Sequence, residues 1–140
     1  MAGIHLEDLS VGQSANHTHL VTAGDIDAFA ALTGDDNPVH LDEAYAATTR
    51  FGGRIAHGML GAGYISAVLG AKLPGPGAIY LSQTLRFRRP VRIGDTVTAT
   101  AQITEIDSAR ARVTLNTVCT VAGEVVLEGE AVVMAPRRAG

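Results

Sequence analysis

Between positions 57 and 72 the chain sets an apolar ridge with helical spacing, Leu60, Ile65, Val68 and Leu69, among four glycines: Gly58, Gly61, Gly63 and Gly70. A glycine inside a helix costs about 1 kcal/mol relative to alanine. A helix of this composition persists only where its backbone lies directly against another layer. Ala62, Ser66 and Ala67 extend the same narrow surface. The segment is too short and too rich in glycine to span a bilayer. It reads instead as a central helix gripped by a curved sheet.

The rest of the chain supplies that sheet. Pro74-Gly-Pro-Gly77 ends the helix. Ile79, Leu81, Leu85 and Phe87 then alternate with Tyr80, Ser82, Thr84, Arg86 and Arg88, which predicts a strand of period two. The pattern recurs over 96–106, with Val97, Ala99, Ala101 and Ile103 on one side, over 110–120, and over 124–134 after a tight Ala122-Gly123 turn. With a first strand near 13–21, the reading is an α+β fold: about five antiparallel strands wrapped around one main helix. Thr22-Ala-Gly-Asp25 has the form of a capping box. It opens a helix whose apolar face is Ile26, Phe29, Ala30 and Leu32 and whose stop is Gly34. A second, short helix is expected from Asp42.

Composition narrows the function. With 140 residues, 46% hydrophobic and 18% charged, the chain is expected to form a single domain over 1–140 with a substantial core. Aromatics are 4%, so that core is aliphatic. A net charge of -3 argues against nucleic acid as a partner. The single cysteine, Cys119, cannot form an internal disulfide, and positions 1–6 lack a signal-peptide pattern. A cytoplasmic protein without a membrane partner is expected.

The chemistry concentrates between Phe29 and His40. Gly34 and Pro38 fold this segment sharply, since Asn37 before proline is pushed out of helical geometry. The fold brings Asp35 and His40 toward one point. A carboxylate and an imidazole can together hold and activate one water. Alone, such a spacing is weak, because polar loop residues often bond backbone. His57 is read as a structural histidine bonding nearby backbone. His17 and His19 share a strand face with no partner that completes a metal site, and are expected to be exposed. Arg86, Arg88, Arg89 and Arg92 form the one basic cluster, suited to phosphates or simply a solvated strand face.

Gly34-Asp-Asp-Asn-Pro-Val-His40, Ile55-Ala-His-Gly-Met-Leu60, Gly75-Pro-Gly-Ala-Ile-Tyr80, Phe87-Arg-Arg-Pro-Val91, Gly94-Asp-Thr-Val97 and Gly129-Glu-Ala-Val-Val133 occur in one order along nearly the whole chain. This series resembles the MaoC-like, (R)-specific enoyl-CoA hydratases. The resemblance implies a hotdog fold, a homodimer, and a substrate tunnel near the subunit interface. It assigns Asp35 and His40 as the catalytic pair and implies that Asp36, at a position variable in the family, is solvated. Gly58 would be the residue whose N–H receives the thioester carbonyl, and Leu69 would line the acyl pocket. For Ser66 two readings stand: it bonds the water, or it packs at the helix–sheet contact. The implied reaction adds water to a trans-2-enoyl-CoA, giving a (R)-3-hydroxyacyl-CoA of short chain. It needs no metal and no cofactor beyond the CoA of the substrate. A 3-hydroxyacyl-ACP dehydratase, a thioesterase and a non-catalytic acyl-CoA-binding module are the alternatives on the same fold.

Overall fold

The computed structural model describes residues 2–139. Strand β1 (Ser14–Leu20) leads into helix α1 (Ala23–Thr33). Two short helices follow, α2 (Pro38–Leu41) and α3 (Glu43–Ala47), and then the main helix α4 (Gly58–Ala71). Strands β2 (Ile79–Gln83), β3 (Arg86–Phe87), β4 (Thr96–Asp107), β5 (Arg112–Val121) and β6 (Glu124–Met134) complete the chain. All strand pairings are antiparallel, in the order β1-β4-β5-β6-β2, with β3 also on β6. The expected sheet around one helix is present, with six strands instead of about five.

Local chemistry sets the element ends. The Thr22 hydroxyl accepts from the Asp25 N–H at 3.1 Å and the Asp25 carboxylate accepts from the Thr22 N–H at 3.0 Å, closing the capping box. The Thr22 N–H, followed by the His19 side chain, holds the Asp25 carboxyl below the usual carboxylate range. Gly34 ends α1 at a φ of 85°, a left-handed conformation that glycine adopts without strain. Leu32, expected on the apolar face of α1, is 85% exposed, because only Ile26 and Ala30 turn fully inward. The Ala122-Gly123 turn has both φ values positive, at 50° and 80°, as a two-residue hairpin requires.

Helix α4 contacts β1, β4, β5 and β6. Its Ile65, Val68 and Leu69 meet Val97, Ala99, Ala101 and Ile103 of β4, Val113, Leu115 and Cys119 of β5, and Ala131 and Val133 of β6 in one buried cluster. Burying three such side chains contributes about 1.5–3 kcal/mol each, enough to offset the glycines. The glycines divide, however. A Cβ at Gly61 would meet Leu127 at 3.1 Å and one at Gly58 would meet the Phe87 ring at 2.6 Å, whereas Gly63 and Gly70 face open space. Close packing therefore explains the first two and not the others.

The expected continuous strand over 79–88 breaks at Thr84-Leu85. There the chain passes directly over β6: a Cβ on Gly129 would lie 1.8 Å from the Thr84 carbonyl oxygen. Backbone to backbone, neither side can yield cheaply. Gly129→Ala is expected to destabilise the protein by about 3 kcal/mol in urea unfolding. A change under about 0.5 kcal/mol would mean that this crossing is loose.

Candidate active site

The site is built on the turn between α1 and α2. After Gly34, the Asp35 N–H donates to the Thr33 hydroxyl at 3.2 Å and the Asn37 N–H to the Asp35 carboxylate at 3.4 Å. Asn37 caps α2 by accepting from the Val39 N–H at 3.1 Å, and Pro38 occupies the first helical turn, where a missing N–H costs nothing. This short helix, which has no periodicity to betray it, turns His40 inward.

His40 is 9% exposed. Its Nδ1 lies 2.8 Å from the Ile55 carbonyl oxygen. A carbonyl only accepts, so Nδ1 carries the proton and Nε2 presents its lone pair. The His40 carbonyl in turn accepts from Arg54 Nε at 2.5 Å, and Arg54 pairs with Asp27 of α1 at 2.8 Å. Arg54, which sequence reasoning passed over, thus ties α1 to the turn that carries His40. His57 is 2% exposed and donates through Nε2 to the Asp35 carbonyl at 2.9 Å, the backbone bond expected of it. Its ring stacks on that of His40, with centroids 3.9 Å apart.

Asp35, His40 and Gly58 line one cavity of about 500 Å³ between α4 and the sheet. Gly58 is the first residue of α4, so its N–H precedes the helix's own hydrogen-bond ladder and lies at the positive end of the helix dipole. Asp36 is exposed, as expected. Ser66 is exposed too and joins Asp35, Phe29, Thr33, Met59 and Gly63 around a second, open groove. Leu69, expected along the acyl tail, is 1% exposed in the core and lines neither cavity. It lies on the α4 face that packs onto the sheet.

Three further residues shape the cavity. Phe87 lies over Gly58, and Tyr64 and Cys119 stand on the inner wall beside Val21 and Val97. Burial, with the nearby Asp25 and Cys119 charges adding less, pushes the Tyr64 phenol up to about 12, and burial pushes the Cys119 thiol up to about 12. Neither ionises near neutral pH, so neither is a base or nucleophile there. Asp35, His40 and His57 are the carboxylate and imidazole groups that line the same cavity. The cluster of Asp35, His40 and His57 also brings donor atoms within 4.8 Å of one another, a spacing compatible with a metal ion. The two rings lie face to face, though, at an interplanar angle of 27°.

The remaining histidines differ from expectation. His17 and His19 are partly buried and stacked on each other, Tyr64 lies 5.1 Å from His19, and His19 bonds Asp25 at 2.9 Å. They face inward because odd positions of β1 face α4. Of the arginine cluster, Arg88 pairs with Glu128 at 2.8 Å and Arg89 with Glu124 at 3.1 Å, both at the cavity rim with Arg50.

Residues 9–125 match the family model described as a MaoC like domain. Over 134 residues the chain is 58% identical to the (R)-specific enoyl-CoA hydratase of Rhodospirillum rubrum, covering 96% of this chain and 93% of that protein. It is 51% identical to the 3-hydroxybutyryl-CoA dehydratase of Methylorubrum extorquens, covering 96% and 86%. The unliganded R-hydratase PhaJ1 of Pseudomonas aeruginosa superposes with a TM-score of 0.93 at 49% identity, over 97% of this chain and 88% of that one. With the sheet, the central helix and the Asp35–His40 turn in place, the chain belongs to the MaoC-like family and has its hotdog fold.

Proposed function

We propose that the protein is an (R)-specific enoyl-CoA hydratase, one hotdog domain acting on short-chain trans-2-enoyl-CoA. The observation that carries this reading is the orientation of His40: with Nδ1–H spent on the Ile55 carbonyl, its Nε2 and the Asp35 carboxylate are two acceptors on one cavity. A water between them donates one hydrogen to each and keeps an oxygen lone pair free for attack. The thioester carbonyl points to the Gly58 N–H, which stabilises negative charge as it develops. The water oxygen bonds to C3, the C2=C3 π pair moves toward the thioester, and one water proton passes to the Asp35–His40 pair. A proton from that pair then closes C2 on the same face. The pair ends as it began, and the step needs no cofactor.

The rim arginines Arg50, Arg88 and Arg89 suit the phosphates of CoA. The buried residues Val97 and Cys119 on the cavity wall favour a short acyl chain. No helix among the described residues is long and apolar enough to cross a membrane. A cytoplasmic location agrees with a free Cys119. The reading also includes a homodimer. Strand β2 lies at the end of the sheet order and presents Ile79, Tyr80 and Leu81 at 40–56% exposure. An open apolar edge of this kind favours pairing with a second copy.

Three measurements test the reading. In an absorbance assay of crotonyl-CoA hydration, Asp35→Asn and His40→Ala are each expected to lower kcat by at least ~100-fold with the fold retained, and Asp36→Asn far less. An essential Asp36 beside a dispensable Asp35 would refute the assignment. Light scattering at micromolar concentration is expected to give a dimer, and a fully active monomer would count against it. Leu69→Ala is expected to cost about 2–5 kcal/mol of stability and to leave the kcat/KM ratio of octenoyl- to crotonyl-CoA unchanged. A shift toward octenoyl-CoA would instead put Leu69 in the acyl pocket.

A further inference from the structure

His57 touches both halves of the catalytic pair. Its ring is stacked on His40 at 3.9 Å, and its Nε2–H donates to the main-chain carbonyl of Asp35 at 2.9 Å. Phe29 of α1 closes its other side, with ring centroids 4.7 Å apart. Although His57 occupies the N-cap position of α4, its side chain makes no capping hydrogen bond. The side chain serves the 34–37 loop instead.

That loop needs an anchor. Residues 34–37 are all exposed. Their other bonds stay local: Asp35 N–H to Thr33, Asp36 N–H to the Gly34 carbonyl at 3.1 Å, and Asn37 N–H to Asp35 itself. The His57 bond reaches 22 positions along the chain, from a buried ring into the exposed turn. His40 has a long-range side-chain hydrogen bond of its own, to the Ile55 carbonyl, beside the stack on His57. Of the two groups, Asp35 is the one that His57 hydrogen-bonds.

We propose that His57 is a positioning residue for the hydration reaction: its Nε2–H holds the Asp35 main chain, and with it the carboxylate, in register with His40 Nε2. A histidine that merely fills space between α1 and α4 acts through its shape. A positioning histidine acts through its donor. The proposal rests on the hydratase reading for its kinetics and on the fold alone for its tautomer.

The two can be separated. In ligand-free protein with 15N-labelled histidine, a long-range 1H–15N spectrum is expected to report His57 as the Nε2–H tautomer and His40 as Nδ1–H. His57 found as Nδ1–H in an enzyme that hydrates crotonyl-CoA overturns the positioning role alone, whereas a protein inactive on every enoyl-CoA overturns the hydratase reading with it. His57→Phe keeps an aromatic ring and loses the donor; His57→Gln sets an amide nitrogen near the place of Nε2. The phenylalanine variant is expected to lose about 30-fold in kcat with KM within about threefold, the scale of a small misplacement of one reacting group. The glutamine variant is expected to stay within about fivefold of wild-type kcat. Wild-type kcat in His57→Phe, or an equal loss in both folded variants, overturns the proposal. Should either variant fail to fold, the wild-type tautomer still decides.

Discussion

The close approach of α4 to the sheet organises the molecule. Gly61 lies where a side chain would press on Leu127, and Gly58 where one would strike Phe87, so the helix sits deeper in the sheet than an alanine-rich helix would. That depth lets Ile65, Val68 and Leu69 reach the aliphatic faces of β4, β5 and β6. It also brings the N-terminal end of α4 beside the turn that carries Asp35 and His40. Packing and chemistry share one cause: the helix end that must be slender to fit is the end whose N–H groups face the cavity.

Polar ties then convert that proximity into a site. Ile55 orients His40, His57 holds Asp35, and Arg54 bonds the His40 carbonyl while pairing with Asp27. Each links the turn of Asp35 and His40 to a residue that follows it by 14 to 22 positions or precedes it on α1. The nearby titratable groups do not compete, since Tyr64 and Cys119 keep their protons to about pH 12. The Asp35 carboxylate and the His40 Nε2 face the cavity, with the His57 ring bonded to the Asp35 main chain behind them.

Much of this was legible in the sequence. The period-two runs gave β4, β5 and β6 almost to the residue, because their inward faces are aliphatic and their outward faces polar, and the Thr22–Asp25 box and Gly34 marked both ends of α1. What escaped was set by contacts distant in the chain. The break at Thr84-Leu85 comes from the backbone crossing over Gly129. Helix α2 is one turn long and carries no pattern. Leu32 has the composition of a core residue and an exposed position, and Gly63 and Gly70 look like packing glycines yet meet nothing within 4 Å. In the site, the family pattern pointed to Asp35, His40 and Gly58, while Arg54, Tyr64 and Phe87 had no local signal, their roles arising only when α1, α4 and β3 converge. Leu69 illustrates the opposite case, a position read as pocket lining that the helix turns into the core.

In the proposed reaction one water, held by Asp35 and His40 on one side of the substrate, supplies both the hydroxyl at C3 and the proton at C2. Hydration of crotonyl-CoA in D2O, followed by determination of the configuration at C2 and C3 of the product, tests this most directly. The product is expected to have (R) configuration at C3, with deuterium delivered to C2 on the face that receives the hydroxyl and the thioester intact. Delivery to the opposite face, or release of free CoA in place of hydration, would contradict it.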